Sequence, residues 1–149
     1  APQGENPLAA GAERRRTTFE SFDEAIANFA SKPPLNALHP ASLEAYVRGG
    51  FSTAPDGSVH LRCEPAVEAS VYRTGSTHDT FEMLDRITIP VTVVTGAVSE
   101  MSPAMLAGRV ADQIPGAKLA TFEDLGHFGP LEDPERMAAH AAATFDGAR

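Results

Sequence analysis

His127 stands in the turn Gly126-His127-Phe128-Gly129-Pro130, just after a predicted strand. Glycines on both sides let the backbone turn sharply and hold an imidazole at the carboxyl edge of a sheet, where α/β folds gather reactive groups. Glu100 lies four residues past Gly96, in the loop after the preceding predicted strand. A carboxylate beside a histidine fixes its tautomer and stabilises the imidazolium formed when the ring takes a proton. An acid after one strand and a histidine after the next fall on one sheet edge. By spacing alone a plainer arrangement fits as well: a turn with a surface histidine, and Glu100 as a solvated loop residue or, with Ser99 and Ser102, part of a helix start.

Two strands and two helices must position this pair. Residues 89–95 (IPVTVVT) are β-branched and almost wholly apolar, which suits a buried parallel strand. Ser102 and Pro103 suit the N-cap and first position of a helix to about Gln113. Pro115-Gly116 turns the chain, and 117–122 forms the second strand. A loop, EDLGHFGPLED, then leads to Asp133-Pro134, another cap pair, and a helix to about Phe145. Strand–helix–strand–helix implies parallel pairing with right-handed crossovers. Two strands do not make a stable sheet, so further structure must complete it.

The texture differs before residue 86. Residues 1–16 read as an arm, with a helix starting near Leu8. Ser21 with Glu24 forms a capping box, and Phe22, Ala25, Ile26 and Phe29 follow at helical spacing until Pro33-Pro34. Pro40 opens a short helix through Tyr46 and Val47, with Gly49-Gly50 as its stop. APDGSVHLRC reads as a hairpin arm around an Asp-Gly turn. Residues 64–72 and 77–84 read as short helices. This part lacks a long amphipathic stripe and looks like a lid on something else rather than an independent core; Phe19, Phe22, Phe29 and Tyr46 read as core residues of that lid rather than as a substrate cage. The expected domains are 1–86 and 87–149.

The chain has 149 residues with 12 basic and 20 acidic side chains, a net charge of −8. That length allows one domain with a real core. The acidic balance excludes non-specific partners among nucleic acids and anionic membranes. The longest apolar run is far too short to span a bilayer. One cysteine, Cys63, excludes an internal disulfide and a cysteine-based zinc cluster, and reads as a small packing residue. His39, His60, His78 and His140 lack metal-ligand spacing, so no metal is assigned. Arg14-Arg15-Arg16 reads as a solvated face or docking contact. Residues 1–20 carry no secretory signal, which points to the cytoplasm. The chain opens on Ala-Pro without an initiator Met and reads as a piece of something longer or a processed product.

Residues 89–145 resemble the carboxyl-terminal end of an α/β-hydrolase: IPVTVVTGAVSE, then IPGAKL, then GHFGPLEDPERMAAHAAATF. ENPLAAGAERRR through THDTFEML looks like the helical cap such enzymes insert after their sixth strand. The resemblance thus covers nearly the whole chain. It implies an α/β fold class, a helical cap followed by a β-α-β-α segment. It implies that His127 is the base of a catalytic triad and Glu100 its acid, where many relatives carry Asp. Asp124 and Asp79 are not at the usual position of that acid, which in some relatives follows the sixth strand instead. No cofactor is implied.

The family's nucleophile sits on a Gly-x-Ser-x-Gly elbow. No such motif occurs in this sequence, nor does an oxyanion loop of His-Gly type; Gly75-Ser76, Gly57-Ser58 and Ser99 all fail the pattern. The expectation is a hydrolase of small esters or related bonds when complete. This chain would supply His127 and Glu100, and a companion chain the nucleophile. A chain without a nucleophile is expected to be inactive alone. Two other classes stay open: a non-catalytic binding module or homo-oligomer, and a truncated remnant of the fold.

Overall fold

The computed structural model describes residues 6–75, 77–97 and 103–147. The chain divides into two compact units, Ala1–Pro33 with Leu43–His78 and Pro34–Ser42 with Asp79–Arg149. The second unit takes in 34–42 and 79–86, upstream of the change in sequence texture.

In the first unit, α1 (Pro7–Glu13) is capped by Asn6, whose side chain accepts from the Leu8 N–H at 3.0 Å. The Asn6 Nδ2 also donates to the Tyr72 carbonyl at 3.0 Å. That bond ties α1 to α4 (Pro65–Thr74), and Ala9, Ala12 and Ala69 are buried together there. Small side chains let the two helices approach closely. Strand β1 (Thr18–Phe19) leads to α2 (Phe22–Ala30), where Ser21 accepts from the Glu24 N–H at 3.1 Å. The return half of the capping box is displaced by one residue: Glu24 Oε2 accepts from the Glu20 N–H at 2.7 Å.

Helix α3 (Pro40–Gly50) runs straight into β2 (Phe51–Thr53), and β3 (Val59–Leu61) returns antiparallel. Gly57, at φ +89°, makes the hairpin turn that a side chain would strain. The order β1-β3-β2 makes a three-stranded sheet. Its face buries Phe19 and Phe51, and Phe29 packs on both rings with centroids 5.8 and 6.0 Å away. Val47 and Val59 are fully buried.

Two expectations for this region change. It has an aromatic core of its own rather than serving only as a lid: Phe19, Phe29 and Tyr46, expected as core residues, pack together and are joined by Phe51, which the sequence did not single out. Cys63 is exposed and is not a packing residue. Helix α3 ends at Gly50, as the glycine pair led one to expect, and Arg62 takes up the carbonyls at its end: its N–H bonds the Gly50 oxygen at 2.9 Å and its Nε the Phe51 oxygen at 2.8 Å. The arginine run is largely committed within the unit: Arg15 pairs with Glu68 at 3.0 Å and Arg16 with Glu24 at 2.8 Å.

In the second unit, β4 (Thr92–Gly96) and β5 (Lys118–Phe122) pair in parallel, in register from Thr92 opposite Lys118 to Gly96 opposite Phe122. Ile89 lies outside the strand. Pro90 cannot donate to a ladder, and pairing begins at the Val91 carbonyl, which accepts from the Lys118 N–H at 3.0 Å. Between the strands run a 3-10 turn (Pro103–Leu106), α5 (Ala107–Gln113) and the turn at Gly116, φ +73°. Pro103 thus opens a 3-10 turn, not a continuous helix. Another 3-10 helix (Thr80–Arg86) packs on α5, with the Arg109 guanidinium 5.3 Å from the Phe81 ring centre. The segment read as a plain loop after β5 contains one helical turn, α6 (Gly129–Glu132). Helix α7 (Pro134–Asp146) follows, capped by Asp133, which accepts from the Arg136 N–H at 3.1 Å. Val94, Leu119 and Phe145 keep much of their surface exposed, Phe145 71% of it. Among the described residues no helix is long and apolar enough to cross a membrane.

Candidate functional site

The register of β4 and β5 decides where their loops begin. Gly96 and Phe122 are direct partners, so the chain leaves both strands at the same edge. The two exits are bonded: the Ala97 N–H donates to the Leu125 carbonyl at 2.7 Å. Gly96 packs so closely on the Gly126 carbonyl that no side chain fits between them. Thr95, buried just before, turns its hydroxyl to the Gly96 carbonyl at 3.2 Å.

His127 stands on the loop that leaves β5 and is exposed. Its ring meets Phe128 at 5.0 Å between centroids, inclined by 60°. It lines a cavity of about 340 Å³ together with Thr95, Gly96, Leu106, Leu125 and Gly129. The walls are mostly apolar, and an imidazole at the rim of such a space can exchange a proton with a bound molecule. The predicted position of His127, at the carboxyl edge of the strand pair, is therefore observed. Glu100, with Ser99 and Ser102, lies outside the described residues.

Two other acids at this loop, Asp124 and Glu132, have structural duties. Asp124 pairs with Arg136 Nη1 at 2.6 Å, and that hydrogen bond holds the Asp124 carboxyl below its ordinary value. Arg136 also lies 4.7 Å from the Phe122 ring centre, fastening α7 to the end of β5. Asp79 precedes the 3-10 helix, and its carbonyl accepts from the Glu82 N–H at 3.0 Å. Glu132, which the sequence reading passed over, accepts from the backbone on both sides of His127. Its Oε2 takes the Gly126 N–H at 2.7 Å and its Oε1 the Phe128 N–H at 3.1 Å. The motif Gly-His-Phe-Gly-Pro-Leu-Glu held the signal: a carboxylate one short turn beyond the loop can bend back onto it.

A second cavity of about 790 Å³ lies between β4–β5 and α7, lined by Val94, Leu119, Met137, His140 and Phe145 among others. The His140 ring stands edge-on to Phe122 at 5.2 Å, and its Nε2 is buried with no hydrogen-bond partner among the described residues. Among the described residues no group of three or more His, Cys, Asp or Glu could hold a metal ion.

No family model matches the chain. Rhodomycin D methylesterase of Streptomyces sp. (strain C5) is 38% identical over 60 residues, 40% of this chain and 20% of that protein. Pimeloyl-[acyl-carrier protein] methyl ester esterase of Aromatoleum aromaticum is 32% identical over 77 residues, 52% of this chain and 31% of that protein. The chain therefore matches less than a third of either relative's length. Among solved structures, that of E-2-(acetamidomethylene)succinate hydrolase superposes with a TM-score of 0.77 at 19% identity, covering 94% of this chain and 51% of that one. Nearly the whole chain thus has a structural counterpart in one known hydrolase.

Proposed function

From a chain that is related to the α/β-hydrolases and carries part of their fold, we propose a role in the hydrolysis of small carboxylic esters, with methyl esters the leading class. His127 is the general base in this reading. A nucleophilic oxygen, borne by polypeptide outside these 149 residues, attacks the ester carbonyl carbon. His127 accepts the nucleophile's proton and passes it to the departing alcohol oxygen. It then takes a proton from water, whose oxygen attacks the acyl intermediate, and returns it to the nucleophile. Glu100 orients the imidazole, and the first unit is the substrate-selecting cap. The segment that brings the nucleophile adds strands beside β4 and covers the apolar surface of Val94 and Leu119.

One observation carries the reading. His127 leaves the carboxyl edge of a parallel strand pair, on a loop fastened to the root of the neighbouring loop, and the curated relatives are both methyl ester esterases by name. The test is ester hydrolysis by the assembly that contains both this chain and the nucleophile. His127→Ala is expected to lower kcat by about a thousandfold or more while the assembly stays intact. Full activity in an intact H127A assembly would refute the assignment. A chain that binds a small ligand on its own and never joins a nucleophile-bearing partner would favour a binding module instead.

A further inference from the structure

Glu132 closes on its own loop. The Leu131 and Glu132 N–H groups both donate to the Phe128 carbonyl, at 2.7 and 3.0 Å, and this tight turn brings the Glu132 side chain back over the residues it follows. Its two oxygens then divide the work: Oε2 accepts from the Gly126 N–H and Oε1 from the Phe128 N–H. Those amides flank His127. An ionised acceptor makes stronger hydrogen bonds than a neutral one, and these are partly shielded from water. Gly126 belongs to the same device. A Cβ there would stand 2.7 Å from Glu132 Oε1 and push the carboxylate away from these amides, which the absence of a side chain at Gly126 allows it to reach. On the other side, the Ala97 bond to the Leu125 carbonyl holds the start of the loop to the end of β4. The backbone around His127 is thus held from β4 at one point and by Glu132 at two.

We propose that Glu132 is the positioning residue of His127: its carboxylate grips the amides before and after the histidine and so holds the imidazole where proton transfer needs it. Glu132 takes no part in the chemistry itself, since both oxygens are engaged by backbone. The proposal rests on the reading of His127 as general base. A carboxamide cannot replace the carboxylate fully. It has one accepting oxygen and one donating nitrogen, and because each carboxylate oxygen serves a different amide here, the side facing the nitrogen loses its partner.

Two measurements test this. In the first, backbone amide exchange is followed by NMR in the whole chain, in Glu132→Gln and in Glu132→Ala. The Gly126 and Phe128 amides are expected to exchange about tenfold or more faster in E132A, and one of the two to do so in E132Q, with β4–β5 amides unchanged. Equal protection in wild type and E132A would overturn the clamp. E132Q, nearly isosteric, keeps the test open if E132A does not fold.

The second measurement is ester hydrolysis by the nucleophile-containing assembly. E132Q is expected to lower kcat roughly 10–100-fold with KM nearly unchanged, the mark of misplaced chemistry rather than lost binding. If H127A abolishes turnover and E132Q leaves kcat intact, the positioning role fails and the general-base reading stands. If H127A leaves turnover intact, the general-base reading fails and the positioning role fails with it, whatever the amides show.

Discussion

Gly96 and Gly126 meet backbone to backbone. A Cβ on Gly96 would run into the Gly126 carbonyl oxygen and come within 2.6 Å of the Leu125 carbonyl oxygen. Neither neighbour is the flexible end of a side chain, so the main chain itself would have to move. Gly96→Ala is expected to lower the unfolding free energy by about 2–3 kcal/mol, read from urea denaturation. Gly108, inside α5 with open space around it, is the contrasting case. Gly108→Ala should raise stability by about 0.5–1 kcal/mol through reduced backbone freedom in the unfolded chain. Wild-type stability in G96A would mean that the two loop roots are apart in solution.

The aromatic core of the first unit should dominate its stability. Phe51 is 1% exposed and contacts Phe19 at 5.5 Å and Phe29 at 6.0 Å between centroids. Phe51→Ala is expected to cost about 3–5 kcal/mol. Phe145→Ala should change the stability of this chain by under about 0.5 kcal/mol, because that ring is already in water. Thermal melts of the two variants compare these directly. A similar effect from both would show that Phe145 is covered in solution.

Three carboxylates should contribute to the acid limb of the stability profile. Asp124 is held below its ordinary value of 3.8 by Arg136, and Asp56 below 3.8 by the Ser58 hydroxyl and then its N–H. Glu24 is held below 4.5 by the Glu20 N–H and then Arg16. A depressed folded value means that the unfolded chain binds protons first as pH falls. Each group's contribution is therefore complete above its ordinary value and is lost as pH drops through its lower folded value. Stability should hold from neutral pH down to about 5 and decline below it. In Glu24→Gln the decline should be shallower, measured as the denaturation midpoint against pH. An unchanged slope would remove Glu24 from the account.

His140 offers a stabilising substitution. Its Nε2 is buried and unpartnered among the described residues, while its ring packs edge-on to Phe122. A buried polar atom without a partner forfeits its hydration. His140→Phe keeps the ring contact and removes that atom, so unfolding free energy should stay level or rise by up to about 1 kcal/mol. A loss of more than about 1 kcal/mol would mean that Nε2 is bonded in solution or that the larger ring does not fit.

Legibility in the sequence followed range. The β-branched run ending at Thr95, the Pro115-Gly116 turn and the Asp133-Pro134 cap are local signals, and each marks an element seen in the fold. Strand β1 is not local: two residues, Thr18 and Phe19, become a strand only because His60 and Val59 lie opposite. In the aromatic cluster, Phe29 lies in a helical run that the spacing reveals, but Phe51 joins it from the start of a short strand with no periodicity of its own. Within the candidate site, His127 was found from its flanking glycines, which act on their immediate neighbours. The Glu132 grip was not, because it depends on the helical turn 129–132 folding the chain back on itself.

Both tyrosines of the chain, Tyr46 and Tyr72, fall in the first unit, and there is no tryptophan. Tyrosine emission and the near-ultraviolet tyrosine bands therefore report on that unit alone. A melt followed by fluorescence would trace the aromatic core around Phe51 and stay silent while the strand pair beneath His127 came apart. Agreement between optical probes, the usual sign of a single cooperative transition, would need a reporter on the other side. Phe122→Trp, beside His140, would give the second unit its own optical signal.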